Sequence, residues 1–261
     1  MEERDAIEET NNSAFGPLLL DVGISLLKAG ASASRIKIVL SRLAEVYHYV
    51  PHITIGSSVI SLVLDDSDGN MMFNRSRSTP VHGIDFNVIS TISRLSIAAE
   101  EKKMTLQELE KELIKSQSPQ RYPRIITLCF VGLAGAAFCY TFGGSYTEML
   151  ITFGATFCGL FVKQQLTKSN FNSYLCTYVA ATTASFFVGL FHATGLVVSP
   201  IDAFSACVLF LIPGVLLINS FIDLIDGNTI NGIVRLVNAL IHILAIAIGL
   251  FTTIGILNLK G

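Results

Sequence analysis

The sequence predicts an α-helical polytopic membrane domain of about five transmembrane helices, the fourth broken at a Pro-Gly pair, preceded by a small α/β cytosolic domain. Three observations carry that expectation. Of 18 basic and 20 acidic residues among 261, 29 lie in positions 1 to 121 and only 9 in the remainder. The charge-poor remainder contains uncharged runs of 23 residues (Arg124 to Glu148), 33 (Lys168 to Asp202) and 24 (Arg235 to Lys260), each long enough to cross hydrocarbon as a helix. The charged portion instead mixes helical and strand-like apolar spacing. A uniform soluble enzyme and a disordered chain are both excluded, because the second half must bury or insert its apolar surface. A net charge of −2 gives no basic surface for nucleic acid.

Residues 1 to 15 read as a flexible acidic tail: the first dozen hold five acids and one Arg, unlike a signal peptide. The cytosolic α/β domain spans 16 to 115. An apolar helix near Pro17 to Lys28 ends at Gly30. Ile36, Val39, Leu40, Leu43, Val46 and Tyr47 then recur at helical spacing, with Ser32 or Ser34 as cap, which predicts an amphipathic helix over 32 to 48. Ile53 to Leu64 is rich in β-branched residues, and Asp68-Gly69-Asn70 predicts a hairpin turn before Met71-Met72-Phe73. Asp65, Asp66 and Asp68 do not make an EF-hand loop, since Leu64 occupies the first ligand position. Helices follow near Asp85 to Lys103 and from Thr105, where Glu108 completes a capping box, to Lys115. Residues 116 to 123 are a linker. His48, His52 and His82 have no partners at metal-ligand spacing, and no hydrolase, phosphate-loop or dinucleotide fingerprint occurs. No catalytic residue, metal or cofactor is expected.

The membrane domain, 124 to 261, divides into spans near 125–142, 146–165, 171–192, 200–225 and 233–257. Arg121, Arg124, Lys163, Lys168 and Arg235 fall on one side and Lys260 on the other, so the positive-inside rule puts the N-terminal domain in the cytoplasm. The odd span number then puts the C-terminus outside. Tyr122 and Tyr140 would sit about 27 Å apart at the two interfaces of the first helix. Gly132, Ala136, Cys139 and Gly143 form a small-residue face for helix packing. All five cysteines lie in this half without metal spacing and read as small apolar packing residues. Ser199 caps the fourth helix, with Pro200 and Asp202 in its first turn. Glu148 and His192 lie near the outer face, where neither reads as a proton-coupling group, and a lone His near a helix end reads as solvated.

Helices four and five carry the functional signal. Pro213-Gly214 sits midway along the fourth, where Pro frees the carbonyl of Leu209 and breaks the helix. Interrupted helices of this kind expose backbone dipoles at mid-membrane in transporters. Asn219, Asp223 and Asp226 share one face of helix four; Asn231, Arg235, Asn238 and His242 share one face of helix five. If the two helices form an antiparallel hairpin about Gly227-Asn228, the stripes meet in register and Asp223 faces Arg235. Asp226, Asn228 and Asn231 read as helix-end caps. The deeper residues Asp223, Arg235, Asn238 and His242 read either as a substrate site or polar path, or as a structural ion pair.

The runs KAGASASRIKIVLSRLAEVY (28 to 47), FNVISTISRL (86 to 95) and IPGVLLINSFIDLIDGNTINGIVRLVNAL (212 to 240) resemble the threonine/serine exporter (ThrE) family, from about residue 16 onward. Full-length members carry a cytosolic domain and about ten spans; this chain is similar to the short YjjP-type half-transporter. The resemblance implies export of threonine and serine, or of a carboxylate such as succinate, coupled to protons across the cell inner membrane. It also implies a small YjjB-type integral membrane partner, with self-association into a homo-oligomer a further option. Pro213, Gly214, Asn219, Asp223, Arg235, Asn238 and His242 would form the substrate-binding or translocation set. Arg235 would hold a substrate carboxylate, and Asp223 would counter it when the site is empty or take the coupling proton. The alternative is a membrane-anchored metabolite-sensing or regulatory protein without transport of its own.

Overall fold

The computed structural model describes residues 2–79, 83–102, 104–116, 122–197 and 200–258, with the side chains of 2–13 left aside. In chain order the elements are α1 (Glu2–Lys28), α2 (Ala33–Val46), β1 (Val50–Ile55), β2 (Val59–Asp65), β3 (Met71–Ser78), α3 (Phe86–Lys102), α4 (Leu106–Ser116), α5 (Arg124–Thr141), α6 (Tyr146–Lys168), α7 (Ser173–Ala193), α8 (Pro200–Cys207), α9 (Gly214–Ile225) and α10 (Thr229–Ile256). A 3-10 turn, Leu209–Leu211, lies between α8 and α9. The chain forms two compact units: Met1–Gln120 with Val215–Leu236, and Arg121–Gly214 with Val237–Gly261.

In the first unit, helix α1 reaches back to Glu2, so the acidic segment expected as a flexible tail is helical. Its Glu and Ala residues are strong helix formers, and local propensity continues the helix upstream of Pro17. Ser32 caps α2, its hydroxyl accepting from the Arg35 amide at 3.3 Å. The β-rich stretch folds as two strands reversing at Gly56-Ser57-Ser58, and the sheet is antiparallel in the order β1-β2-β3. In the central strand Ile60, Leu62 and Leu64 alternate onto the buried face, as a half-buried strand requires. They join one core with Leu26 and Leu27 of α1 and Leu40 of α2. The Asp66 carboxylate accepts from the Asp68 and Asn70 amides and from Asn70 Nδ2, at 2.8 to 3.0 Å. These bonds to Asn70 hold its pKa below the usual aspartate range. The acid cluster is thus a hairpin turn. Thr105 and Glu108 close the expected capping box on α4.

The second unit is a helical bundle. Four helices are long and apolar enough to cross a membrane (α5, α6, α7 and α10), and the α8 and α9 pair adds a fifth if its 61° bend is one broken span. Gly132, Gly135, Ala136 and Cys139 of α5 are buried. A Cβ on Gly135 would stand 2.4 Å from Thr156 Oγ1 of α6, so the small-residue face serves close helix approach. Gly143 is not part of that face: it lies past the end of α5 with φ 110°, a conformation that suits glycine as a helix stop. Glu148 is buried at 2% exposure, its carboxylate accepting from the Ser145 amide and hydroxyl at 2.7 and 3.0 Å. It is therefore a capping residue of α6. His192 Nδ1 pairs with the Val197 carbonyl at 2.8 Å. Ser199 and His82 fall outside the described residues.

Candidate functional site

The break in the fourth apolar segment is where the Pro-Gly pair predicts it. The Leu209 carbonyl is not left free, however, because the Ile212 amide reaches it at 3.2 Å through the 3-10 turn. Tightening to i→i+3 bonding is a common way for a helix to satisfy its end carbonyls. After Pro213, helix α9 starts at Gly214 in a new direction.

Within the first unit, α9 and the start of α10 form the expected antiparallel hairpin. Gly232 makes it possible: a Cβ there would lie 2.6 Å from Leu224 Cγ and 3.0 Å from the Leu224 amide nitrogen. Asp223 is fully buried at 0% exposure, and its Oδ2 stands 3.1 Å from Arg235 Nε. The two stripes therefore meet in the expected register. That contact is an ion pair without directed hydrogen-bond geometry, so Oδ2 retains hydrogen-bonding capacity.

Spacing along the hairpin gave no sign of what lies on the other side of this pair. The loop between α1 and α2 reaches it. Asp223 Oδ1 accepts from the Ala33 amide at 2.9 Å, which places a carboxylate at the N-terminus of α2, where exposed amides and the helix dipole favour negative charge. Arg235 Nη2 donates to the Ala31 carbonyl at 2.6 Å, and Asn219 Nδ2 donates to the Gly30 carbonyl at 3.0 Å. Gly30 turns the chain at φ 77°, which presents these carbonyls side by side. Asn231, expected as a helix cap, instead donates to the Ile55 carbonyl at 2.7 Å, and Asn228 accepts from Lys37 at 3.0 Å. Asp226 is exposed.

The remaining members of the expected set, Pro213, Gly214, Asn238 and His242, belong to the second unit. There Asn238 Oδ1 accepts from the Tyr174 hydroxyl at 3.0 Å, and His242 Nδ1 lies 3.0 Å from Thr177 Oγ1. The Thr177 proton goes to the Ser173 carbonyl at 3.1 Å, so the consistent tautomer has His242 donating from Nδ1. Further along the same two helices, Ser185 Oγ meets Thr253 Oγ1 at 2.6 Å. Gly249 allows α7 and α10 to touch, since a Cβ there would be 2.8 Å from Ala181 Cβ. Tyr174 and Thr177 escaped the sequence reading because hydroxyl residues are common in apolar helices and carry no charge to mark them. Among the described residues no group of three His, Cys, Asp or Glu could hold a metal ion.

The longest of the three runs that carry the ThrE resemblance, 212 to 240, holds both the Pro-Gly break and the Asp223 and Arg235 pair. Residues 17–257 match the family described as "Putative threonine/serine exporter". The chain belongs to the ThrE family. Two curated relatives carry the name "Probable succinate transporter subunit YjjP". The one from Klebsiella aerogenes is 26% identical over 255 residues, covering 97% of this chain and 98% of the relative. The one from Escherichia coli K12 is 28% identical over 249 residues, covering 94% and 95%. This ThrE-family chain thus corresponds to YjjP-type subunits over nearly its whole length. It is a multi-pass membrane protein of a transporter family. No solved structure matches it.

Proposed function

We propose that the chain is one subunit of a proton-coupled exporter of small carboxylates, either threonine and serine or a dicarboxylate such as succinate, in the cell inner membrane. Its partner would be a small YjjB-type integral membrane protein, and its N-terminal unit would lie in the cytoplasm with the C-terminus outside. The names of the relatives support a subunit role and a carboxylate substrate. The observation that carries the site is the buried Asp223 and Arg235 pair, 3.1 Å apart. A guanidinium is suited to a carboxylate, and here it already holds one. Asp223 acts as its counter-ion when substrate is absent. Protonating Asp223 removes that counter-charge, frees Arg235 for substrate and weakens the grip on the Ala33 amide. The N-terminal unit would thereby sense occupancy of the pair.

Efflux from proteoliposomes holding this chain and its partner tests the reading. Arg235→Ala is expected to abolish succinate or threonine efflux with insertion unchanged, and export at the wild-type rate would sink it. Asp223→Asn is expected to remove dependence on the proton gradient. A second reading, metabolite sensing without transport, is favoured by a cavity of about 500 Å³ in the first unit lined by Arg42, Glu45, His48 and Glu100. Ligand binding to the full chain with no flux, partner present, would select it.

A further inference from the structure

The cavity of about 500 Å³ in the first unit lies between the C-terminal end of α2, the end of α3 and Met104, a volume that suits a metabolite-sized ligand. Its walls carry charge of both signs: Arg42 and Glu45 from α2, Glu100 from α3, and the His48 imidazole just past α2. Arg42 Nε stands 3.3 Å from Glu100 Oε2, with side chains 30% and 60% exposed. An ion pair this open to water contributes little to stability, so Arg42 can trade the Glu100 carboxylate for that of a ligand. Arg42 Nη1 donates to the buried Ser96 hydroxyl at 3.1 Å, which keeps the guanidinium in place during the trade. The Tyr47 hydroxyl donates to the Met104 carbonyl at 2.9 Å and ties two sides of the cavity together. His48 departs from local preference. The helix closes with the His48 amide on the Glu45 carbonyl at 3.1 Å and the Tyr49 amide on the Ala44 carbonyl at 2.9 Å, which sets His48 at φ 62°. Glycine is the residue that such a helix end favours. A side chain held there against backbone preference is a mark of ligand clamps, and this one forms cavity wall.

We propose that this cavity binds a neutral α-amino acid in its zwitterionic form. The wall charges decide the class of ligand. Arg42 takes the α-carboxylate through its planar fork, and Glu45 with Glu100, the latter released from Arg42, takes the α-ammonium. Val46 and Met104, the apolar part of the lining, receive the ligand's side chain. A dicarboxylate is disfavoured, because it would bring two negative charges to a wall that already holds two carboxylates, and like charges set against each other are costly. The site goes beyond the export reading and is separate from the Asp223 and Arg235 pair. Ala33, whose amide Asp223 holds, and Arg42 are nine residues apart on α2, about 14 Å along its axis.

The test is equilibrium dialysis of the purified protein with its partner, using radiolabelled L-threonine and L-leucine as probes and succinate as the comparison. At least one amino acid is expected to bind more tightly than succinate, and its N-acetyl derivative and methyl ester, which each lack one charge, about tenfold or more weakly. Arg42→Met should weaken that binding by about tenfold or more, the scale of a lost charge-assisted hydrogen bond, and Arg42→Lys by less, because the charge stays while the fork is lost. The bound amino acid should also protect His48, but not the exposed His52, from acylation by diethyl pyrocarbonate, read by peptide mapping. If Arg42→Met does not fold, that protection in the wild type decides alone. Absence of binding by both amino acids, tighter binding of succinate, equal binding of the N-acetyl derivative, unchanged affinity in Arg42→Met or no protection of His48 each overturns the proposal. None of these results touches the export reading, which stands or falls on flux and on Arg235→Ala.

Discussion

Helix α10 carries polar residues at one helical spacing through both units, yet its two halves satisfy them differently. In the first unit Asn231 and Arg235 reach the backbone carbonyls of Ile55 and Ala31, and their neighbour Asp223 takes the Ala33 amide. In the second, Asn238 and His242 reach the side-chain hydroxyls of Tyr174 and Thr177. A backbone partner is fixed by the fold around it. A hydroxyl rotates, and can trade its bond for one to a ligand. The contrast suggests that one polar pattern serves two tasks: a clamp on the α1–α2 loop, and a set of exchangeable contacts among the apolar helices.

Mutations should separate the two. The largest loss of stability is expected from Asp223→Ala, which leaves Arg235 buried without its counter-charge and the α2 amide uncapped. Breaking one side of a buried pair costs about 3–5 kcal/mol, and thermal unfolding in detergent should show it clearly, while Asp223→Asn loses less. Gly232→Leu comes next. The new side chain must displace Leu224, and overpacking of this kind costs about 1–3 kcal/mol, read in the same melts. Asn219→Ala removes one bond to Gly30 and should cost about 1 kcal/mol. Thr177→Val should shift the melt by no more than that, and yet reduce flux several-fold by releasing the His242 ring. If Thr177→Val destabilised as much as Asp223→Ala, the distinction between clamp and exchangeable contacts would collapse.

The smallest effect lies far from both. Glu108 accepts from the Thr105 amide at 2.9 Å and from its hydroxyl, and these bonds hold its pKa below the usual glutamate range near 4.5. A carboxylate with a depressed folded pKa contributes stability above its unfolded value and loses it as pH falls through the folded one. A slight loss of stability below about pH 4.5 should therefore disappear in Glu108→Gln. Retention of the same pH slope in that variant would mean the cap is not its source.

How much of this was legible depended on distance along the chain. The capping box at Thr105 concerns residues three apart, and α2, α3 and the apolar spans follow from spacing within one helix. The facing of Asp223 and Arg235 also yielded, since twelve residues about a tight turn leave an antiparallel hairpin few registers. Gly143 was misplaced because a helix's last turn and its stop share the same spacing. The Leu209 carbonyl was misread because a missing Pro donor is visible in sequence, whereas the 3-10 turn that compensates for it is not.

By itself, then, the sequence determined which segments are apolar enough to span, where helices cap and break, and that one buried acid meets one buried base. Those features arise from residues within a turn or two of each other, where helical geometry alone sets the contacts. Only the tertiary structure decided that Asp223 and Arg235 close on backbone groups 190 and 204 residues away, and that Asn238 and His242 meet the hydroxyls of Tyr174 and Thr177. Such contacts depend on how whole helices pack, and a packing direction is a property of many side chains together rather than of any local pattern.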